Sequence, residues 1–150
     1  MSEKGKLTQA EADYLIKMVK RALSDEIDFP SRNASTEFDV KGNSKQDLFT
    51  IKIFRSKIKH NKYTFGARIK KDGILLLELH INPGNPHTNP DGEIIIGSHW
   101  HVYKEGFDRR FAFSVGNIND NDFVENTMLF FDKFNLIKKP KVNFQLELLP

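Results

Sequence analysis

The sequence predicts an α+β fold, an antiparallel sheet of about six or seven strands with an N-terminal and a C-terminal helix packed on one face. Two patterns and their arrangement predict it. Apolar residues recur at helical spacing only near the two ends of the chain. Between those stretches they alternate with polar ones, as half-buried antiparallel strands require, and turn-forming residues separate the alternating runs.

In order along the chain, Thr8-Gln9-Ala10-Glu11 has the form of a capping box, and Ala12, Leu15, Ile16, Val19 and Leu23 follow on one helical face. This helix is expected to end near Asp25, ahead of Phe29-Pro30. Alternation then runs through Phe38/Val40, Phe49/Ile51/Ile53 and Tyr63/Phe65/Ala67/Ile69. Asp72-Gly73 signals a tight turn into a strand over Ile74–Asn82. A Pro/Gly/Asn loop spans Pro83 to Gly92, and strands are expected over Ile94–Tyr103 and Arg110–Val115. Asp122 opens a second helix with Phe123, Thr127, Phe130, Phe131 and Phe134 on one face. A last strand alternates as Val142/Phe144/Leu146/Leu148. No repeat or low-complexity segment interrupts the chain, so residues 1–150 are expected to form a single domain.

Composition narrows the chemistry. With no cysteine, disulfides, thiolate nucleophiles and Cys-type zinc sites are excluded together. No apolar run is long enough to cross a bilayer, and Met1-Ser2-Glu3-Lys4 has no signal-peptide character, so a cytoplasmic protein with no membrane association is expected. The net charge is only +3, but eight Lys/Arg and no acid fall between Thr50 and Lys71. Lys52, Arg55, Lys57, Lys59, Lys62 and Arg68 are therefore candidate nucleic-acid-binding residues. The plainer reading is that these cations solvate one face of a hairpin.

Four of the five histidines (His80, His87, His99 and His101) lie within 22 residues. If Leu75, Leu77, Leu79 and Ile81 face the core, Glu78, His80 and Asn82 point the other way. If Ile94, Ile96, Trp100 and Val102 face the core, then His99, His101 and Tyr103 join them on the opposite surface, with Arg68, Arg110 and Ser114. Imidazole is the side chain suited to moving protons near neutral pH. His99, His101 and His87 are accordingly the candidate acid–base groups, and Arg110 or Arg68 would stabilise developing phosphorane charge. A His-x-His pair is also a common accident of sequence, and no dense, fixed-spacing ligand set accompanies it. No metal site and no cofactor are expected.

The segments Leu7-Thr8-Gln9-Ala10-Glu11-Ala12-Asp13, Pro86-His87-Thr88-Asn89-Pro90-Asp91-Gly92, His99-Trp100-His101-Val102-Tyr103, Glu105-Gly106-Phe107 and Phe134-Asn135-Leu136-Ile137 together resemble an uncharacterised family of small proteins from mobile elements of Gram-positive bacteria. At Glu78-Leu79-His80-Ile81 the sequence departs from that family's Arg-Leu-Asp-like pattern. The spacing of the Pro-His loop and His-x-His is more loosely similar to ribonuclease toxins of toxin–antitoxin modules. The first family carries no established activity. The basic Lys52–Lys71 hairpin and the looser toxin similarity point to RNA or a ribonucleoprotein as partner, or a protein partner such as an antitoxin or a host nuclease. The leading expectation is a metal-independent endoribonuclease acting as a toxin or defence effector. The alternatives are a non-enzymatic, anti-CRISPR-like inhibitor that binds a nuclease or its guide RNA, and a small metal-dependent hydrolase.

Overall fold

In the computed structural model, which describes residues 6–144, two helices accompany a large, mainly antiparallel sheet. Helix α1 (Gln9–Lys17) starts on the expected capping box, with Thr8 Oγ1 accepting from Glu11 N and Glu11 Oε1 accepting from Thr8 N. It is shorter than the sequence predicts. Met18 leaves helical geometry, and Lys20–Ala22 becomes strand β1, followed by β2 (Glu26–Asp28). Val19 and Leu23, expected on the helix's buried stripe, are exposed instead.

Four strands carry the centre of the sheet: β3 (Ala34–Lys41), β4 (Leu48–Arg55), β5 (Tyr63–Ile69) and β6 (Leu75–Ile81). They form a continuous antiparallel ladder. The Asp72-Gly73 turn is present, with Gly73 at φ +77 and Asp72 Oδ1 accepting from Ile74 N. β7 (His87–Thr88) and β8 (Ile94–Ile95) make a small separate hairpin. β9 (His99–Val102) pairs with β6, and β10 (Ala112–Ser114) forms the sheet's edge beyond it. After α2 (Phe123–Lys133), β11 (Leu136–Lys138) adds to β1 in parallel, and β12 (Lys141–Asn143) pairs in parallel with β2. The main sheet therefore has eight strands where about six or seven are expected, because the short β1 and β11 add to one edge, in the order β10-β9-β6-β5-β4-β3-β1-β11. The last expected strand is seen only as β12, because Leu146 and Leu148 lie outside the described residues.

The core lies between the sheet and the helices. Phe130 stacks on Phe65 and Trp100, Phe131 meets Phe38 edge-on, and Phe134 meets Phe49 edge-on. These pairs seat α2 and its C-cap Phe134 across four strands, β3, β4, β5 and β9. α1 contributes the fully buried Ala12 and the half-buried Leu15 and Ile16 to the same cluster. Among the described residues no helix is long and apolar enough to cross a membrane.

Two expected face assignments are corrected. A bulge between Ala67 and Arg68 places Leu75 opposite Arg68 and turns Leu76 into the core, so the alternation holds only from Leu77 onward. The expected Ile94–Tyr103 strand breaks at Gly97, whose φ of +84 ends any extended run. Ile94 and Ile96 are consequently exposed and Ile95 is buried, the reverse of the predicted parity.

Candidate functional site

The outward face of the sheet is organised in cross-strand rows. One row runs Lys52–Gly66–Glu78–His101–Ala112, and the next runs Phe54–Thr64–His80–His99–Ser114. Direct cross-strand neighbours have Cβ atoms about 5 Å apart. The register alone therefore gathers Glu78, His80, His99 and His101, and His87 comes over them from the loop.

The four imidazoles form one cluster. Ring centroids are 4.9 Å apart for His99–His101, 4.9 Å for His80–His101 and 5.2 Å for His80–His99. His87 lies 4.8 Å from His101 and 5.7 Å from His99. Three of the rings are anchored through one nitrogen to a backbone carbonyl. His99 Nδ1 meets Gly97 O at 2.9 Å, His101 Nδ1 meets Arg109 O at 2.7 Å, and His87 Nε2 meets Arg110 O at 2.8 Å. A carbonyl can only accept, so each of these nitrogens carries the proton, and a neutral ring then has its other nitrogen bare. For His99 and His101 the bare atoms face each other, Nε2 to Nε2, at 3.1 Å. Two lone pairs at that distance repel, and one proton held between them removes the conflict.

Burial works against that proton. It pushes His101 down to about 4, and His80 and His99 add repulsion, while the bond to Arg109 O and the Glu78 carboxylate pull the other way. Burial likewise holds His99 below the ordinary histidine value. A proton shared by this pair is therefore readily given up. Glu78 is held below the usual carboxylate range: burial would raise it, but His80 and the Arg109 guanidinium outweigh that. Arg109 Nε lies 2.7 Å from Glu78 Oε1, and His80 Nε2 lies 3.7 Å from the same oxygen. His80 Nε2 is buried with no hydrogen bond among the described residues.

The proline loop positions His87 through Asn89. The Asn89 side chain is buried and behaves as a piece of strand, donating from Nδ2 to Ala112 O at 2.9 Å and accepting at Oδ1 from Ala112 N at 2.7 Å. It thereby satisfies the open edge of β10 and ties the loop over β9. A cleft of about 380 Å³ results, lined by His80, His87, His99, His101, Arg109 and Arg110 together with Pro83, Asn85 and Pro86.

Other sequence candidates fall elsewhere. Tyr103 leaves the histidine face: it is buried in the core, and its hydroxyl exchanges hydrogen bonds with Leu7 N and O. Arg110 reaches the cleft, but its guanidinium donates to Phe107 O and Gly106 O, and the carbonyl is the group that serves His87. Arg68 pairs with Glu37 at 3.2 Å and lines a neighbouring cleft instead. Arg55 is buried, donates from Nε to His60 O at 2.9 Å and lies over the Phe123 ring, so it is a core residue and not a surface cation. Lys52, Lys57 and Lys59 are exposed. Lys62 lies beside the cleft's rim, its Nζ 4.0 Å from where a Cβ on Gly84 would stand, and Asn82 bonds to neighbouring Asn61. Sequence reasoning overlooked Arg109. Only its adjacency to Arg110 pointed toward it, and the turn at Asp108, with φ +53, decides which arginine faces Glu78.

Among the described residues no group of three or more His, Asp or Glu side chains is arranged to hold a metal ion. A family profile described as a family of unknown function, DUF6978, matches residues 7–136. No curated protein and no solved structure is detectably similar to the chain.

Proposed function

The chain belongs to that family of unknown function, and we propose that it is an RNA-directed protein, a metal-independent endoribonuclease acting as a toxin or defence effector. The observation that carries this reading is the facing pair of Nε2 atoms of His99 and His101, 3.1 Å apart with both Nδ1 atoms already engaged. A proton that reaches this pair is shared by both facing nitrogens and released easily, which suits a general acid acting from the minor, protonated fraction of the protein near neutral pH. The pair does not suit an acid and a base on opposite sides of a phosphate, so the base is a different ring. His87 fits, because its Nε2 donates to Arg110 O and leaves Nδ1 free to accept.

In this mechanism His87 takes the proton of a ribose 2′-OH and the 2′ oxygen attacks phosphorus. The bond from phosphorus to the 5′ oxygen breaks, and that oxygen receives the proton shared by His99 and His101. The products are a 2′,3′-cyclic phosphate and a free 5′-OH. Arg109 stands beside the cleft to stabilise charge on the phosphorane oxygens. Lys62 would hold the RNA backbone near the rim, and Lys57 and Lys59, exposed in the same β4–β5 loop, would add to its attraction.

The test is cleavage of RNA in EDTA. His87→Ala and His101→Gln are expected to stay folded and to lose roughly 10²- to 10⁴-fold in rate. Changing Lys57, Lys59 and Lys62 to Glu is expected to weaken RNA binding, and parent binding should fall steeply with salt. A second reading is favoured by the near-complete burial of His99 and His101, which are 3% and 6% exposed. In it the histidines are structural and the protein is a binding inhibitor of a nuclease or its guide RNA. Salt-dependent RNA or ribonucleoprotein binding without cleavage would select it.

A further inference from the structure

Beside the histidine cleft, and separated from it by Glu78, lies a second depression of about 380 Å³ on the outward face of the sheet. Its floor is Gly66, in the middle of a central strand, where the row between Lys52 and Glu78 has no side chain. Its walls are Phe54, Thr64, Leu75, Arg68 and Lys52, with the Glu78 carboxylate on the side toward the histidine cleft. Phe54 is unusual here: it is a large apolar ring on the polar face, 39% exposed, while its strand neighbours Ile53 and Arg55 are buried. Among the described residues it is not part of the core cluster.

The composition of this depression matches one kind of occupant. An exposed aromatic ring offers a face on which a planar ring can stack, and the missing side chain at Gly66 leaves room beside it. Two cations flank the space, although Arg68 shares its charge with Glu37. A planar, aromatic group on an anionic backbone fits all three features, and that is a nucleotide of a single strand. Position agrees with this. Phe54 and His80 occupy the same row two strands apart, roughly 10 Å at the usual strand spacing. A base seated at Phe54 therefore belongs to a nucleotide close to the phosphate held in the histidine cleft.

We propose that this depression is a nucleobase subsite, in which a base of single-stranded RNA stacks on Phe54 over Gly66 while Lys52 and Arg68 face its phosphates. The proposal rests on the RNA-directed reading of the histidine cleft and extends it to how the strand is held. Stacking on a ring tolerates any base, so the subsite supplies affinity and register with little sequence preference. A Cβ on Gly66 would meet Leu75 Cδ2 at 3.5 Å and Glu78 Cγ at 3.7 Å, ordinary contacts, so a larger residue there fills the depression without forcing the strands apart.

The experiment uses the full chain, with fluorescence anisotropy on a short single-stranded oligonucleotide carrying 2′-deoxyribose so that it cannot be cleaved. Phe54→Ala and Gly66→Leu are expected to bind roughly tenfold or more weakly, as loss of one stacked base implies. Phe54→Trp is expected to bind at least as well as the parent. Melting temperatures identify any variant that fails for lack of folding, and Phe54→Trp keeps the test decisive if Gly66→Leu does. Abasic sites placed one at a time along the oligonucleotide should weaken parent binding at one position and leave Phe54→Ala unaffected there. If the parent cleaves RNA and binds the oligonucleotide but Phe54→Ala binds equally well, the subsite is overturned and the cleft reading stands. If the parent neither binds nor cleaves single-stranded RNA, both fall together.

Discussion

Lys20 and the His99–His101 pair are both buried and basic at positions that no core stripe of the sequence includes, yet they are finished in opposite ways. Lys20 is fully buried, and its ammonium donates to Ile16 O at 2.9 Å, Met18 O at 2.8 Å and Phe134 O at 2.9 Å. Those three carbonyls are at the C-terminal ends of α1 and α2, where helices leave acceptors unpaired and the dipole favours a cation. The Phe134 ring completes the enclosure at 3.7 Å. Burial pushes Lys20 down to about 7, but three donors meeting three acceptors hold the charged form against that push. At the histidines the accounting does not close: two Nε2 atoms face one another, and His80 Nε2 has no hydrogen bond among the described residues. A buried polar group with every partner in place fixes the fold. Groups left incomplete at the edge of a cleft have capacity for something that arrives.

The largest effect expected from this contrast is on stability. Lys20→Met replaces the cation by a side chain of similar length and leaves three buried carbonyls without donors. Leaving buried acceptors without their donor costs about 1–3 kcal/mol. Urea denaturation should show that loss, with RNA cleavage per folded molecule unchanged. A Lys20→Met protein as stable as the parent would break the contrast, because it would mean that satisfying the site contributes nothing.

A smaller effect is expected in the pH dependence of stability. His99 and His101 are held below the free-histidine value, and His101 is held at about 4. As pH falls, the unfolded chain takes up these protons first, beginning near the ordinary histidine pKa of about 6.5. Stability present above about pH 6.5 is therefore lost progressively as pH drops toward 4. His101→Gln should flatten the melting-temperature curve over that interval. A parent curve already flat there would show that the pair carries its proton in the folded state at neutral pH, and would sharpen the description of the acid.

Much of this contrast was half-visible in the sequence. The period-two pattern from Phe38 to Ile81 was readable because those strands are long and have one buried face, and the same parity put Glu78, His80, His99 and His101 on one surface. The strands β1, β2, β11 and β12 are three residues each, too short to show alternation, and their parallel pairings join segments more than 110 residues apart. Helical spacing through Val19 and Leu23 misled because the turn after Lys17 is set by Lys20 bonding to carbonyls on two helices, a tertiary contact without a local signature. Ile94 and Ile96 looked like core because they share parity with Trp100, but Gly97 resets the phase. Arg55 looked like one more surface cation in a basic run, but its burial over the Phe123 ring and its bond to His60 O show otherwise. At the site, the residue types were legible. Which nitrogen of each ring is engaged was not, because that depends on the carbonyls of Gly97, Arg109 and Arg110.

The central claim is that the unfinished histidine cluster moves protons during RNA cleavage without a metal. The most direct measurement is the chemistry of the ends left on a defined single-stranded RNA incubated with the parent protein in EDTA. The account predicts fragments ending in 2′,3′-cyclic phosphate with matching 5′-OH termini, and no cleavage at a position where the attacking nucleotide carries 2′-deoxyribose. Fragments with 5′-phosphate ends, cleavage only when a divalent metal is restored, or no cleavage at all would contradict it.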